Sequence, residues 1–219
     1  MSAPTESFSP QRGNLIVLSA PSGTGKTTLA RRLVARVPRL KASVSYTTRP
    51  MRPEERHGED YHFVDRDRFV AMTGEDLFLE WAEIYGHLYG TGRQATAEVL
   101  DQGDDLLLVI DVQGARWVHK RVPDALMTFL LPPHHEVLLE RLRRRGTESS
   151  GTEAERLRVA REEILAWKEY DFIIVNDDLE TSLARAEAVI LADRQRRQRM
   201  EGIARTVAAT FPPPAGEVK

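Results

Sequence analysis

The stretch Ser19-Ala20-Pro21-Ser22-Gly23-Thr24-Gly25-Lys26-Thr27-Thr28 constrains this chain more than any other. An unbroken apolar segment, residues 15–18, precedes it, and residues 26–37 after it read as a helix that stops before Pro38. A strand, a glycine-rich turn and a helix in that order make an anion site. Gly23 and Gly25 permit a tight turn in which successive backbone N–H groups face one centre, and the helix contributes the positive end of its dipole. Lys26 reaches the β- and γ-phosphates of a nucleotide, and the Thr27 hydroxyl is a ligand for Mg²⁺. The expected ATP-binding set on this loop is therefore Ala20, Pro21, Ser22, Gly23, Thr24, Gly25, Lys26 and Thr27. Ala20 stands where the general pattern has its first glycine, and a methyl group fits there if the residue keeps negative φ.

The rest of the chain supplies the sheet such a loop needs. Residues 106–110, 126–131 and 172–175 are short apolar runs, and helical patterns at 114–121, 134–145 and 179–199 alternate with them. Val137, Leu138 and Leu142 fall at helical spacing in the second of these. Strands apolar on both faces imply a parallel sheet covered by helices, an α/β fold. With 219 residues and 41% hydrophobic residues the chain has material for one such core. Residues 43–93 break the rhythm with shorter, half-apolar segments, and they are expected to form a small α+β lobe, spanning about 38–94. Residues 1–13 and 211–219, rich in Pro, Ser and Thr or Pro, read as disordered tails around a domain at 14–210.

Composition narrows the function classes. A net charge of -2 gives no overall attraction to nucleic acid or an anionic membrane. The chain has no cysteine, so disulfides, thiolate metal sites and thiol catalysis are excluded. No segment approaches the roughly 20 apolar residues of a membrane helix, and the polar first residues lack a signal-peptide core. These features fit a cytoplasmic protein, with no nucleic acid or membrane partner expected. The cluster Arg194, Arg196, Arg197 and Arg199 reads as a solvated helix end.

Several ordered motifs resemble the guanylate kinase family. They are residues 43–53 (SVSYTTRPMRP), 58–63 (GEDYHF), 78–81 (FLEW), 89–91 (YGT), 110–114 (IDVQG) and 174–178 (IVNDD). The resemblance runs from about residue 14 to the helix after Asp178. It implies that Arg49, Arg52, Tyr61 and Tyr89 hold the phosphate of GMP, and that Ser45, Glu80, Thr91 and Asp111 surround its guanine. The chemistry agrees. Guanidiniums and phenols neutralise and orient a dianionic phosphate. A carboxylate accepts from guanine N1–H and N2–H₂, and hydroxyls donate to O6 or N7. Asp111, at the end of an apolar strand, also faces the expected Mg²⁺ crevice. Many family members carry a second aspartate two residues earlier, where this chain has Val109.

The same resemblance marks Arg141, Arg145 and Arg156 as arginines of a helical lid at about 144–158. There they approach the ATP phosphates and stabilise charge in transfer. Arg143, Arg144 and Arg158 read as solvated. Asn176 matches a position near the adenine. The expectation is an ATP:GMP phosphotransferase using Mg²⁺, with small-molecule substrates and a monomeric or small homo-oligomeric state. The alternatives are a non-catalytic guanylate-kinase-like interaction module, which would need neither Lys26 nor the lid arginines, and a kinase with a phosphorylated sugar as acceptor.

Overall fold

Leu15–Ser19 is buried along its whole length, as a strand with parallel neighbours on both sides must be. The computed structural model describes residues 12–144 and 153–211. Its first half runs β1 (Leu15–Ser19), α1 (Lys26–Arg36), β2 (Leu40–Ala42), β3 (Ser45–Thr47), β4 (Tyr61–Phe63), α2 (Arg66–Gly74), β5 (Phe78–Ile84) and β6 (His87–Gly92). It continues through α3 (Arg93–Asp101), β7 (Asp105–Ile110), α4 (Val112–Arg121), β8 (Leu126–Leu131), α5 (His135–Arg144) and α6 (Glu153–Ile164). A 3-10 turn, Leu165–Glu169, leads to β9 (Phe172–Val175), α7 (Leu179–Arg194) and α8 (Arg197–Ala208).

The core sheet has the order β2-β7-β1-β8-β9, and every pairing in it is parallel. Alternating side chains serve its two faces. Ile16, Leu18, Leu107 and Leu126 pack against Leu29 and Leu33 of α1 and Leu183 and Ile190 of α7. Leu15, Val17, Leu106, Leu108 and Met127 pack against Leu100 of α3 and Val118 of α4. Each fully buried leucine in these layers contributes about 1.5–3 kcal/mol. The result is the helix-flanked α/β sheet expected from the sequence.

A second, four-stranded sheet, β4-β3-β6-β5, makes the lobe. Its own small core is Phe69, Met72, Phe78 and Leu88, with the rings of Phe69 and Phe78 stacked at 4.5 Å. Leu40–Ala42, inside the 38–94 range read as the lobe, instead pairs with β7 at the edge of the core sheet.

Two expectations for this end of the chain are corrected. Arg194 and Arg199 are not solvated but pair with the buried carboxylates of Asp105 and Asp193. The long helix over 179–199 is two helices, because the chain turns at Gln195 and Arg196, where Arg196 has ψ 140. The buried Asp193 accounts for the turn. Its carboxylate accepts from Asn14 Nδ2 at 2.6 Å and from Arg199 Nε at 2.6 Å, and folding Arg199 back onto it requires leaving the helical path. At the amino end, Gly13 donates its N–H to the Leu100 carbonyl at 2.8 Å and Arg12 pairs with Asp101. Otherwise the segments read as tails, Phe211 excepted, lie outside the described residues. No helix among the described residues is long and apolar enough to cross a membrane.

Candidate active site

The glycine loop joins β1 to α1 with Gly23 at φ 84 and Gly25 at φ 102, conformations that strain any side chain. Gly25 is needed for space as well, since a Cβ there would sit 2.8 Å from the amide nitrogen of Asn176. That amide donates to the Thr24 carbonyl at 2.7 Å, and Arg141 Nη1 donates to the same oxygen at 3.1 Å. Two residues far away in sequence therefore hold one peptide of the loop. Lys26 Nζ donates to the Ala20 carbonyl at 2.6 Å, and Ala20 itself is fully buried.

Opposite the loop, across a cleft of about 420 Å³, stands the lobe. Of the residues singled out in the sequence, Pro21, Ser22, Gly23, Thr24, Gly25, Lys26, Thr27, Ser45, Tyr61, Glu80, Tyr89 and Asp111 all line this one cleft. Thr91 stands behind Glu80 and donates its hydroxyl to Oε1 at 2.5 Å. Arg49, Arg52, Arg141 and Asn176 of the expected sets are not among the lining residues.

Glu80 is 4% exposed, and burial raises its pKa from 4.5 to about 7. The Thr91 bond opposes that rise, and the nearby Asp111 carboxylate adds to it. Gly114 is the floor here: a Cβ on it would lie 2.6 Å from Glu80 Oε2. Asp111 is the N-cap of α4 and accepts from the Gly114 N–H at 2.8 Å. Burial raises its pKa, and the cap bond and Lys26 pull against that.

The phosphate-type donors form a second cluster. The Arg49 guanidinium lies 5.6 Å from the centre of the Tyr61 ring, which meets the Tyr89 ring edge-on at 6.0 Å. Burial keeps the Tyr61 phenol above its ordinary pKa, so it remains a neutral hydrogen-bond donor. Arg49 is held by Glu55 at 2.6 Å, a pair with side chains 15% and 12% exposed. Arg52 is exposed and does not line the cleft; its backbone N–H donates to Glu55 at 2.9 Å. Asn176 does not line it either, its amide being committed to Thr24. Arg145 lies outside the described residues, and so does the side chain of Arg156, whose backbone falls on α6.

Two contributors were not legible in the sequence. Glu163 of α6 lines the cleft, accepts from the Ser22 N–H at 3.3 Å and faces Lys26; burial raises its pKa. Glu55 orders Arg49. Both sit in glutamate-rich, polar stretches where neighbours give no signal. Val109 also lines the cleft and gives it an apolar surface beside Asp111.

The residues fit Mg²⁺ as a cation carried in with nucleotide. The Thr27 hydroxyl and the Asp111 carboxylate offer only oxygen donors in the same cleft, and no cluster of three or more His, Asp or Glu able to hold a metal occurs among the described residues. Mg²⁺ characteristically keeps its waters and takes one or two protein oxygens beside substrate phosphates, so no protein cage is required.

Known proteins resemble this chain over most of its length. The guanylate kinase family model matches residues 12–193. A guanylate kinase of Alkalilimnicola ehrlichii is 48% identical over 86% of this chain and 93% of its own. One of Xanthomonas oryzae is 44% identical over 85% and 92%. The crystal structure of guanylate kinase from Anaplasma phagocytophilum superposes with a TM-score of 0.77 at 33% identity, covering 94% of this chain and all of that one.

Proposed function

The chain belongs to the guanylate kinase family, and from that premise we infer that it transfers the γ-phosphoryl group of ATP to GMP, giving ADP and GDP. The observation that carries the reading is the single cleft with Lys26 and its loop on one wall and the buried Glu80 on the other.

On the donor side, the loop amides from Ser22 to Lys26 and the Lys26 ammonium cradle the β- and γ-phosphates. The Lys26 bond to the Ala20 carbonyl is one it exchanges for phosphate oxygen when ATP enters. Arg141 and Asn176 keep the loop in shape through Thr24. Thr27 and Asp111 are the residues to hold Mg²⁺, directly or through water. Bound there, Mg²⁺ supplies positive charge between phosphate oxygens.

On the acceptor side, Glu80 as carboxylate accepts from guanine N1–H and N2–H₂, Ser45 supplies a hydroxyl beside the base, and Thr91, behind Glu80, acts through its bond to the carboxylate rather than on the base. Arg49, Tyr61 and Tyr89, with Arg52 swinging in from the rim, bind the GMP phosphate. The attacking oxygen of GMP is already largely ionised near neutral pH, since the second phosphate pKa is about 6, and the chain needs no general base. Catalysis then rests on alignment and on charge neutralisation by Lys26 and the lid arginines Arg141, Arg145 and Arg156. A cysteine-free chain suits a reducing compartment, and we assign the reaction to the cytoplasm, in purine nucleotide metabolism.

A coupled ADP-release assay with GMP, dGMP, AMP, CMP and UMP as acceptors tests the reading. Turnover confined to GMP and dGMP is expected. Equal use of AMP, or no ADP release with any nucleotide, contradicts it.

A further inference from the structure

β5 carries one residue more than the strand it pairs with. Glu80 faces Thr91 and Trp81 faces Gly90, whereas Phe78 faces Gly92, which leaves Leu79 as the extra residue of a β-bulge. In a regular strand Phe78 and Glu80 would share a face. The bulge separates them. Phe78 packs into the lobe core, Leu79 into the layer beneath the main sheet, and Glu80 turns into the cleft, all three buried.

A bulge leaves backbone groups off the regular ladder, and buried ones need partners. Arg121, in the last turn of α4, supplies them. Its Nη1 donates to the Phe78 carbonyl at 2.9 Å and to the Leu79 carbonyl at 2.7 Å. The guanidinium is itself fixed, 5.3 Å from the Trp117 ring centre and 3.7 Å from Asp76. Arg93 adds a longer bond to the Phe78 carbonyl at 3.3 Å. Arg121 does not line the cleft, so any effect on ligands passes through β5. Both ends of α4 therefore bear on Glu80: Gly114 of its first turn leaves the room that the carboxylate occupies, and Arg121 of its last turn grips the peptides before it.

We propose that Arg121 is a positioning residue for base recognition, holding the Leu79 bulge so that Glu80 points into the cleft. The proposal rests on Glu80 reading the guanine edge. A rigid cation bonded to two adjacent carbonyls specifies the direction of the next side chain, and a carboxylate displaced by a fraction of an ångström loses its paired bonds to the base.

The test compares wild type, Arg121→Met, Arg121→Lys, Glu80→Gln and the Arg121→Met/Glu80→Gln double variant. Each is read for KM and kcat with GMP and with AMP, and for ATP affinity, with folding checked by thermal unfolding. Arg121→Met should raise the KM for GMP about 10- to 100-fold and narrow the GMP-over-AMP ratio, while ATP affinity stays within about twofold. Arg121→Lys should recover part of the loss, because an ammonium still donates to the carbonyls. In the Glu80→Gln background the same Arg121→Met change should add less than about twofold. A folded Arg121→Met enzyme with unchanged GMP selectivity overturns the proposal, as does an equal loss in both backgrounds. If Arg121→Met does not fold, Arg121→Lys decides: ordinary stability with unaltered GMP selectivity overturns it. Full GMP selectivity in Glu80→Gln alone fails the underlying reading of Glu80 and takes the proposal with it.

Discussion

The Thr91 hydroxyl donates a 2.5 Å hydrogen bond to Glu80 Oε1 across the β5–β6 ladder, in a site where both residues are buried. The bond favours the ionised carboxylate and so opposes burial, which even against it leaves the pKa raised to about 7. Thr91→Val removes it. The apparent midpoint for GMP in a pH profile of kcat/KM should then move upward, and KM at pH 7 should rise as less Glu80 is ionised. An unmoved midpoint would separate Thr91 from the carboxylate's titration.

Glu80 also sets a pH dependence of stability. Its folded pKa lies above its ordinary value of 4.5, so the folded state binds the extra proton between 4.5 and about 7. The contribution of Glu80 to stability is fully present below 4.5 and is lost as pH rises through about 7. The displacement, at about 1.4 kcal/mol per pH unit, corresponds to about 3 kcal/mol. Glu80→Gln, uncharged at every pH, should match wild type near pH 4 and exceed it in urea unfolding at pH 8. Equal stabilities at pH 8 would show that the carboxylate is not desolvated.

Much of this was legible from the chain, and the rest was hidden for identifiable reasons. The glycine loop declared itself because a strand, Gly-Lys-Thr and a helix fell in register, and the apolar runs 106–110, 126–131 and 172–175 are all strands, the first two largely buried and the last, at the sheet edge, burying only Ile174. β2 was hidden because the Leu40–Ala42 segment is too short to have a period, and only its pairing with β7 defines it. The helix break at Gln195 was hidden because the residues there suit a helix and the cause, Asp193 bonded to Asn14, spans nearly the whole chain. Glu163 and the Leu79 bulge share that difficulty, since each takes its meaning from a partner distant in sequence. Arg49, Tyr61 and Tyr89 lie side by side although their motifs are far apart in sequence, whereas the Asn176 amide is spent on Thr24.

Lys26→Ala removes the cation that lines the loop and bonds the Ala20 carbonyl. Turnover should fall by about 10²- to 10³-fold or more, as for the loss of a single preorganised donor at a site of developing charge. The melting temperature should change little, because Lys26 belongs to no hydrophobic core. A folded variant with near-normal turnover would remove Lys26 from the reaction.

The most direct measurement is the acceptor selectivity of Glu80→Gln beside its ATP affinity. Guanine presents N1–H and N2–H₂ to a carboxylate, and adenine presents an unprotonated N1 on the corresponding edge. Sites built on such pairing discriminate by about 10⁴ or more, because the wrong ligand leaves buried groups unpaired. Wild type should therefore prefer GMP over AMP strongly. Glu80→Gln should lose most of that preference through a sharply weakened use of GMP, since an amide offers one acceptor and turns a donor toward donors. ATP affinity should hold, because the phosphate loop forms the opposite wall of the cleft. Full GMP selectivity in the variant, or ATP binding damaged as much as GMP binding, would contradict the account.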